Sequence, residues 1–280
     1  MKKILVTGST GFIGKNVVPL LNERYDVVAP SRKELELLDA AEVKNYLKQH
    51  GFDTIIHLAN PTGHNPLDKQ DEILERSLRV FMSLFHCAAL YGKMIYIGSG
   101  AEYAKHRNIS MIEEREFGDE LPRDSYGISR YIMGELAEKS DNIYDLRLFA
   151  CCGPYDQPHK LIPYTIDCIK TNKPIELNQN VSFDFLDAAD IAPVFVHFID
   201  NAVKHKSYNL CSGKPRFIYD IALEVKSQMK SDMPITLKQT GLGLEYSGDN
   251  SRLKEEIPNW NLTPIEEAIR RILEHDNCRF

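Results

Sequence analysis

Three glycines near the start of the chain have the spacing of a phosphate-binding turn. Gly8, Gly11 and Gly14 follow an apolar run at residues 4–6 and open an amphipathic stretch at 12–21. This succession predicts a strand, a tight turn and a helix whose N-terminal amides point at a pyrophosphate. We therefore expect a dinucleotide to bind here, and an ordinary glycine-rich turn between strand and helix is the alternative.

The residues after the second predicted strand, 26–29, bear on which dinucleotide binds. An acidic residue at this point pairs with the ribose hydroxyls of NAD, whereas an arginine accommodates the 2′-phosphate of NADP. The chain has Ser31 and Arg32 there. NADP(H) is therefore the favoured cofactor and NAD(H) the alternative, while a solvated basic turn is the competing interpretation of Arg32.

Strands and helices alternate through the first half of the chain. Further strands are predicted at 53–59, 93–100 and 142–149, and further helices are predicted to end at Leu47, to span 70–91 and to begin at 124. This alternation predicts an α/β fold, a Rossmann-type doubly wound parallel sheet whose strand ends meet at one crevice. Ser99 ends one such strand and belongs near the cofactor. Leu58, Ala59 and Asp39 are expected beside the adenosine.

After Gly153 and Pro154 the predicted elements become shorter. Helices are expected at 161–170, 188–201 and 264–275, and strands at 175–177 and 183–186. We therefore divide the chain into a dinucleotide-binding domain at 1–152 and a smaller C-terminal α+β substrate lobe at 153–280, with 180–200 returning to the first domain.

Composition limits the partners and the compartment. The formal charge of −6 gives no basic stripe for nucleic acid, and no apolar run approaches the roughly 18 residues that span a bilayer. No signal peptide is visible, so we expect a cytoplasmic protein with no membrane partner. The six cysteines form no CxxC or Cys/His cluster, which predicts reduced thiols and no metal site. The long helix at 70–91 has an apolar stripe that either joins a homodimer or serves the internal core alone.

Three motifs occur together in order: TGSTGFIG at 7–14, Gly98-Ser99-Gly100, and YGISR at 126–130. In this combination the chain resembles the extended short-chain dehydrogenase/reductase superfamily, in its NAD-dependent epimerase/dehydratase branch, which acts on nucleotide sugars. The likeness extends to the turn at 153–154 and the stretch 183–190, and so covers nearly the whole chain. Around the glycines we expect Thr10, Phe12 and Ile13 to be further cofactor contacts.

The resemblance implies catalytic roles. In the family a tyrosine is the acid/base for a carbonyl or alcohol, and a serine or threonine hydrogen-bonds the same oxygen. These residues correspond to Tyr126 and Ser99. The family also has a lysine four residues after the tyrosine, which supports the phenolate and holds the nicotinamide ribose, and here Arg130 takes its place. We expect Arg130 to keep both roles; the alternative is that catalysis has been lost.

The resemblance also separates the reactions. Family dehydratases carry an Asp-Glu pair after the catalytic hydroxyl residue, whereas this chain has Gly100 and Ala101, which disfavours dehydration. Residues 31–39 are most similar to those of GDP-fucose-synthase-type reductases, in which a histidine before a helix is a second acid. His159 and Lys160 lie in that region and, with Gly100 and Ala101, are candidate substrate contacts.

A further departure concerns the substrate. Phe183 stands where the family usually has an arginine for a nucleotide diphosphate. We expect an enzyme that uses NADP(H) to reduce a keto group of a nucleotide sugar, in surface-polysaccharide or deoxysugar synthesis. The alternatives are a nucleotide-sugar 4-epimerase with tightly bound NAD, and a catalytically weakened NADP-binding regulator or scaffold.

Overall fold

The computed structural model describes residues 1–60 and 72–277, in which strands and helices alternate along the first half of the chain. The strands are β1 (Lys3–Thr7), β2 (Asp26–Val28), β3 (Phe52–His57), β4 (Tyr91–Ser99), β5 (Ile109–Ile112), β6 (Ile143–Leu148), β7 (Ala150–Cys152), β8 (Ile175–Leu177), β9 (Ser182–Phe183), β10 (Phe185–Asp187), β11 (Ser207–Leu210), β12 (Arg216–Phe217), β13 (Ile235–Leu237) and β14 (Tyr246–Gly248). The helices are α1 (Phe12–Asn22), α2 (Ala40–His50), α3 (Ile73–Phe85), α4 (Ser125–Glu138), α5 (Leu161–Lys170), α6 (Ile191–Asp200), α7 (Ile218–Gln228), α8 (Ser251–Glu256) and α9 (Ile265–Asn277).

A six-stranded sheet lies at the centre, in the order β11-β6-β4-β3-β1-β2, and all of its strand pairs are parallel. The order reverses at β1, which has β2 on one side and β3 on the other. In an open parallel sheet a ligand crevice forms at the carboxyl ends of the strands where the order reverses. The predicted α/β fold with a doubly wound parallel sheet is confirmed.

Helices cover both faces of this sheet because its strands are apolar on both sides. Along β1, Ile4 and Val6 belong to one buried cluster and Leu5 to another. The first cluster includes residues of α1 and α6, and the second includes residues of α2, α3 and α4. Alternate side chains of one strand therefore pack into two separate hydrophobic cores, one on each face of the sheet.

The predicted helix at 70–91 is wrong at its C-terminal end. Helix α3 ends at Phe85, a 3₁₀ turn follows at Ala88–Leu90, and Tyr91 already belongs to β4. The Tyr91 hydroxyl donates to the Leu84 carbonyl oxygen at 3.0 Å. Apolar spacing continues through the 3₁₀ turn, so periodicity alone does not mark the end of the helix. Residues 70 and 71 lie outside the described residues, and the homodimer stays a prediction.

The strand predicted at 183–186 is two strands that meet at Asp184. Strand β9 pairs with β12 and β14 in a four-stranded sheet of the lobe, whereas β10 pairs with β7. Asp184 is buried, and its carboxylate accepts from the Ser212 amide at 2.7 Å, the Ser212 hydroxyl at 2.6 Å and the Gly213 amide at 2.8 Å. One carboxylate thus fixes the point where the chain passes between two sheets.

After residue 152 the chain returns twice to the large sheet. Helix α6 packs in the same core as α1, and β11 is the edge strand beside β6. Our division at residue 152 had placed β11 in the lobe. Helices α5, α7 and α9 pack together around a separate apolar cluster. None of the helices within residues 1–60 and 72–277 has the length and apolarity to cross a bilayer.

A cluster of charges is buried beside the end of β4. Arg147 is fully buried, and its Nε donates to Glu102 Oε2 and to Asp145 Oδ2, both at 2.9 Å. Burial raises the pKa of Glu102 well above its ordinary value, and the charge of Asp145 raises it further. Burial also raises the pKa of Asp145, although Arg147 opposes this. Two buried carboxyl groups thus face one guanidinium, whose positive charge opposes the effect of burial on their pKa values.

We predict that Arg147→Leu destabilises the protein by about 3–5 kcal/mol, because it leaves buried carboxylates without their cation. The matched control is Arg115→Leu, which breaks the exposed Arg115–Glu113 ion pair of 2.9 Å and should cost about 0–1 kcal/mol. Urea unfolding of both variants gives the two free energies. Equal losses in the two variants would contradict the prediction.

Candidate active site

A cleft of about 1070 Å³ opens at the carboxyl ends of β1 and β3. Its lining includes the glycine-rich turn after β1, Tyr126 of α4, and the aromatic side chains of Phe149, Phe183 and Phe185. Many of the residues predicted from the sequence line it: Gly8, Thr10, Gly11, Phe12, Ile13, Gly14, Arg32, Leu58, Ala59, Tyr126 and Lys160. The residues Ser31, Asp39, Ser99, Gly100, Ala101, Arg130 and His159 do not line it.

The glycine turn has the shape of a pyrophosphate cradle. Gly8 has a φ of +73°, and a Cβ there would lie 2.6 Å from the Ala59 amide nitrogen, so the turn packs directly against the end of β3. Gly11 is the N-cap of α1, and no side chain caps the helix. The first amides of α1 are therefore available to an anion in the cleft. These residues fit a bound dinucleotide.

At the adenosine end, Arg32 and Glu36 both line the cleft. Arg32 Nε donates to Glu36 Oε2 at 2.7 Å. Burial opposes the ionisation of Glu36, but the bonds from Arg32 and the Leu38 amide lower its pKa. This end of the cleft thus holds both an arginine suited to a 2′-phosphate and an acid suited to ribose hydroxyls.

Two residues that are predicted as cofactor contacts at this end of the cleft instead make hydrogen bonds within the protein. Asp39 is the N-cap of α2, and its Oδ1 accepts from the Ala41 amide at 2.9 Å and the Glu42 amide at 3.0 Å. The Ser31 amide donates to the Glu34 carboxylate at 2.7 Å. Among the described residues, the apolar wall beside Arg32 comes instead from Leu35, Leu37 and Leu38.

Tyr126 lies in the first turn of α4, and the cationic groups of Arg130 and Lys105 both lie close to its ring. The Arg130 guanidinium carbon is 5.0 Å from the centre of the Tyr126 ring, and Lys105 Nζ is 5.4 Å from it. Lys105 lines the cleft and pairs with Asp124, the N-cap of α4, at 3.4 Å. The sequence reasoning missed Lys105, whose only signal is its place in the loop after Ser99.

Arg130 lies behind the tyrosine rather than at the cleft surface. It is 4% exposed, and its Nη1 donates to the Tyr96 hydroxyl at 2.6 Å and to the Ile97 carbonyl at 2.9 Å. With its amide oxygen turned towards the guanidinium, Asn60 accepts from Arg130 Nε at 2.8 Å. Burial opposes its charge, yet the phenols of Tyr126 and Tyr96 raise the pKa of Arg130. Arg130 is therefore a fixed buried cation bound to protein acceptors.

His57 lies beneath this cation as a neutral core residue. Its Nδ1 is 2.7 Å from Thr7 Oγ1, and its ring stacks on Tyr96. Burial lowers the pKa of His57 to about 3, and the charge of Arg130 lowers it further. His57 is therefore neutral and adds no second positive charge next to Arg130.

Ser99 ends β4 and caps the short helix Gly100–Tyr103. Its Oγ accepts from the Ala101 amide at 3.1 Å, and its amide donates to Glu102 Oε1 at 2.9 Å. Ser99, Gly100 and Ala101 are all buried. Of the four residues predicted as substrate contacts, Gly100 and Ala101 are therefore buried and do not line the cleft, and Gly100 packs against Phe149.

The lobe side of the cleft is an aromatic wall with a polar rim. Phe149, Phe183 and Phe185 line it, and Asp156, Gln157 and Lys160 lie nearby. Burial raises the pKa of Asp156 to about 6, although the Gln157 amide and the charge of Lys160 oppose this. The exposed His159 does not line the cleft.

Phe183 leaves a diphosphate without the usual arginine, and three other arginines of this half of the chain are engaged elsewhere. Arg147 is buried in the charge cluster. Arg252 donates to the Ser207 carbonyl at 3.2 Å, and Arg216 pairs with Glu266 at 3.2 Å. Lys160, in contrast, lines the cleft on the same side as Phe183.

The cysteines within the described residues form no disulfide. Cys87, Cys151, Cys152, Cys168 and Cys211 are free, and Cys278 lies outside the described residues. Within the described ranges, no group of His, Cys, Asp and Glu side chains is arranged to hold a metal ion.

We predict that His57 lowers stability as the pH falls. The unfolded chain binds a proton at His57 below about pH 6.5, whereas the folded chain excludes it until about pH 3. Between pH 8 and pH 5 this difference removes about 2 kcal/mol of unfolding free energy. In His57→Asn the amide oxygen can still meet Thr7 but does not titrate, so the wild type should lose that much more than the variant. Parallel pH profiles would show that His57 is not buried in the neutral form.

Comparison with known proteins places this site in a family. GDP-L-colitose synthase of Yersinia pseudotuberculosis is 26% identical over 226 residues, covering 72% of this chain and 73% of that protein. ADP-L-glycero-D-manno-heptose-6-epimerase of Pseudomonas aeruginosa is 26% identical over 275 residues, covering 84% and 82%. A GDP-L-fucose synthetase of Naegleria fowleri bound to NADP has the same fold, with a TM-score of 0.85 at 17% identity over 99% of this chain and 95% of that one.

The family model extends across most of the chain. It describes the NAD dependent epimerase/dehydratase family and matches residues 4–211. That range begins in β1 and ends one residue after β11, and so includes the glycine turn, Ser99, Tyr126 and Arg130. The chain therefore belongs to the NAD dependent epimerase/dehydratase family.

Proposed function

We propose that the protein is an NADP(H)-dependent oxidoreductase that reduces a keto group of a nucleotide sugar. The observation that carries this proposal is the position of Tyr126. It lines the same cleft as the glycine cradle, and two cations lie close to its ring. A proton donor held next to a dinucleotide site is what carbonyl reduction requires.

The roles follow from the chemistry of these side chains. When bound, the nicotinamide supplies a hydride to the carbonyl carbon. Tyr126 gives its proton to the carbonyl oxygen, and Arg130 and Lys105 stabilise the phenolate that remains. Arg130 is held in place by Tyr96 and Ile97. Lys105, on the open side, carries the compact ammonium that α4 itself lacks.

The proposed substrate class rests on the relatives and the lobe. The relatives named above are a GDP-sugar synthase and an ADP-heptose epimerase. In this chain Lys160 supplies a cation for a diphosphate, and Phe183 and Phe185 supply an apolar wall for a sugar ring or base. We place the reaction in surface-polysaccharide or deoxysugar synthesis.

An epimerase is the second candidate, and Asp156 favours it. A carboxyl group with a pKa of about 6 in the cleft has the strength to move a proton next to a carbonyl group at neutral pH. An epimerase would return the hydride to its substrate, and its nicotinamide cofactor would show no net consumption.

We predict stoichiometric oxidation of NADPH by the purified protein with at least one 4-keto sugar among GDP-, UDP-, dTDP-, CDP- and ADP-linked substrates. Tyr126→Phe should lower kcat by about 10²–10⁴-fold while still binding NADPH, because it removes the proton donor. Tyr131→Phe on the same helix, whose hydroxyl contacts Glu135 at 3.3 Å, should leave kcat unchanged. Fluorescence of bound NADPH separates binding from turnover.

Other outcomes would overturn the proposal. Conversion of a nucleotide sugar into its C4 epimer without net NADPH oxidation would identify an epimerase. NADPH binding with no turnover on any member of the panel would leave a regulator or scaffold.

We predict that Arg32→Ala raises the Kd for NADPH by about 10–150-fold, because it removes a charged hydrogen bond to the 2′-phosphate worth about 1.5–3 kcal/mol. The Kd for NADH should change by less than about twofold. Lys33→Ala is the matched control on the same turn. Glu36→Gln should strengthen NADPH binding by freeing Arg32; a loss of NADH binding in that variant, with no gain for NADPH, would instead assign the site to NAD.

A further inference from the structure

The hydrogen-bond donors of Arg130 are taken up by the protein itself. Arg130 is 4% exposed and does not line the cleft, and its Nη1 donates to the Tyr96 hydroxyl at 2.6 Å and to the Ile97 carbonyl at 2.9 Å. The Asn60 amide oxygen accepts from Arg130 Nε at 2.8 Å and also contacts Nη2. Each nitrogen of the guanidinium therefore has an acceptor within the protein.

Asn60 is the one of these three acceptors that lines the cleft. It follows β3, and its amide nitrogen donates at 3.1 Å to the hydroxyl of Ser77, a fully buried residue of α3. An amide group accepts through its oxygen and donates through its nitrogen, so the bond to Ser77 directs the oxygen to the guanidinium. Helix α3 thus orients Asn60, and Asn60 holds the guanidinium beside the cleft.

The acceptors of Arg130 differ in charge from those of the buried Arg147. Arg147 binds the carboxylates of Glu102 and Asp145, whereas Arg130 binds a hydroxyl, a carbonyl and an amide, which are all neutral. A charge in the protein interior is screened less than a charge in water. The guanidinium carbon of Arg130 is 5.0 Å from the centre of the Tyr126 ring. The positive charge of Arg130 therefore reaches Tyr126 without a bound carboxylate to cancel it.

We propose that Asn60 is a positioning residue for the reduction, which holds the Arg130 guanidinium outside the cleft as an uncancelled charge beside Tyr126. This inference rests on the proposed function, in which the phenol gives up its proton. It limits the part of Arg130 to its charge: the guanidinium stabilises the phenolate and does not touch the nicotinamide ribose. The amide at position 60 has to be neutral, because a carboxylate there would bind the same nitrogens and cancel their charge.

The first test compares Asn60→Asp with Asn60→Ser. Aspartate has the shape of asparagine but pairs with Arg130 as an anion, so kcat should fall about tenfold while the Kd for NADPH changes by less than about twofold. Serine is smaller but neutral, and should lower kcat by less than aspartate does. A purely structural role of Asn60 predicts the opposite order, because aspartate is the closer match in shape. Wild-type kcat in a folded Asn60→Asp variant, or an equal loss in Asn60→Ser, would overturn the assignment.

The second test measures cofactor binding and needs no turnover. Arg130→Gln removes the charge and keeps a donor for the buried acceptors, and the Kd for NADPH should stay within about twofold of the wild-type value. Arg32→Ala shows the size of a lost cofactor contact in the same assay. A rise of about tenfold in the Kd of a folded Arg130→Gln variant would show that Arg130 holds the ribose, which contradicts the inference. If the wild type reduces no keto sugar, the proposed function has failed, and this Kd still decides whether the guanidinium touches the cofactor.

Discussion

The carboxyl end of the central sheet depends on one buried guanidinium. Arg147 in β6 binds Glu102 in the short helix after β4, and Glu102 in turn receives the Ser99 amide. Arg147 Nη1 also donates to the Tyr103 hydroxyl at 2.9 Å, and that hydroxyl donates to Asn209 in β11 at 2.7 Å. The Arg147 side chain thus links β6 to β11 and to the short helix that follows β4. A buried ion pair is weak evidence for stability, but removing its cation is costly, so the register of these strands and the position of Ser99 are fixed together.

The exchange of lysine for arginine on α4 changes the environment of the tyrosine. A guanidinium directs several donors in fixed directions, and here they are occupied by Tyr96, Ile97 and Asn60. The charge near Tyr126 is therefore permanent and held in the protein interior. The ammonium of Lys105, half exposed beside Asp124, is a second cation near the same ring. In our proposal two side chains share the work that the family resemblance assigns to one.

Sequence reasoning succeeded where short-range rules decide the structure. The glycine turn, the strand ending at Ser99 and the helix carrying Tyr126 each follow from residues within one or two turns of the chain. It failed where residues that are far apart in the sequence determine the structure. The break at Asp184 depends on amides 28 and 29 residues away, and Lys105 reaches the cleft from the loop that follows Ser99. Asp39 is different, because its spacing to Glu42 is a helix-capping signal that was legible in the sequence.

Asp184 also affects which side chains the C-terminal lobe can present to the cleft. The lobe sheet and the pair formed by β7 and β10 are joined by a single residue whose carboxylate is held by Ser212 and Gly213. Its neighbours Phe183 and Phe185 line the cleft on either side of that fixed point. The hydrogen bonds of Asp184 therefore fix the direction of the chain where β9 passes into β10. New side chains grafted at positions 183 or 185 would change what the pocket recognises without altering how the two halves of the molecule are aligned.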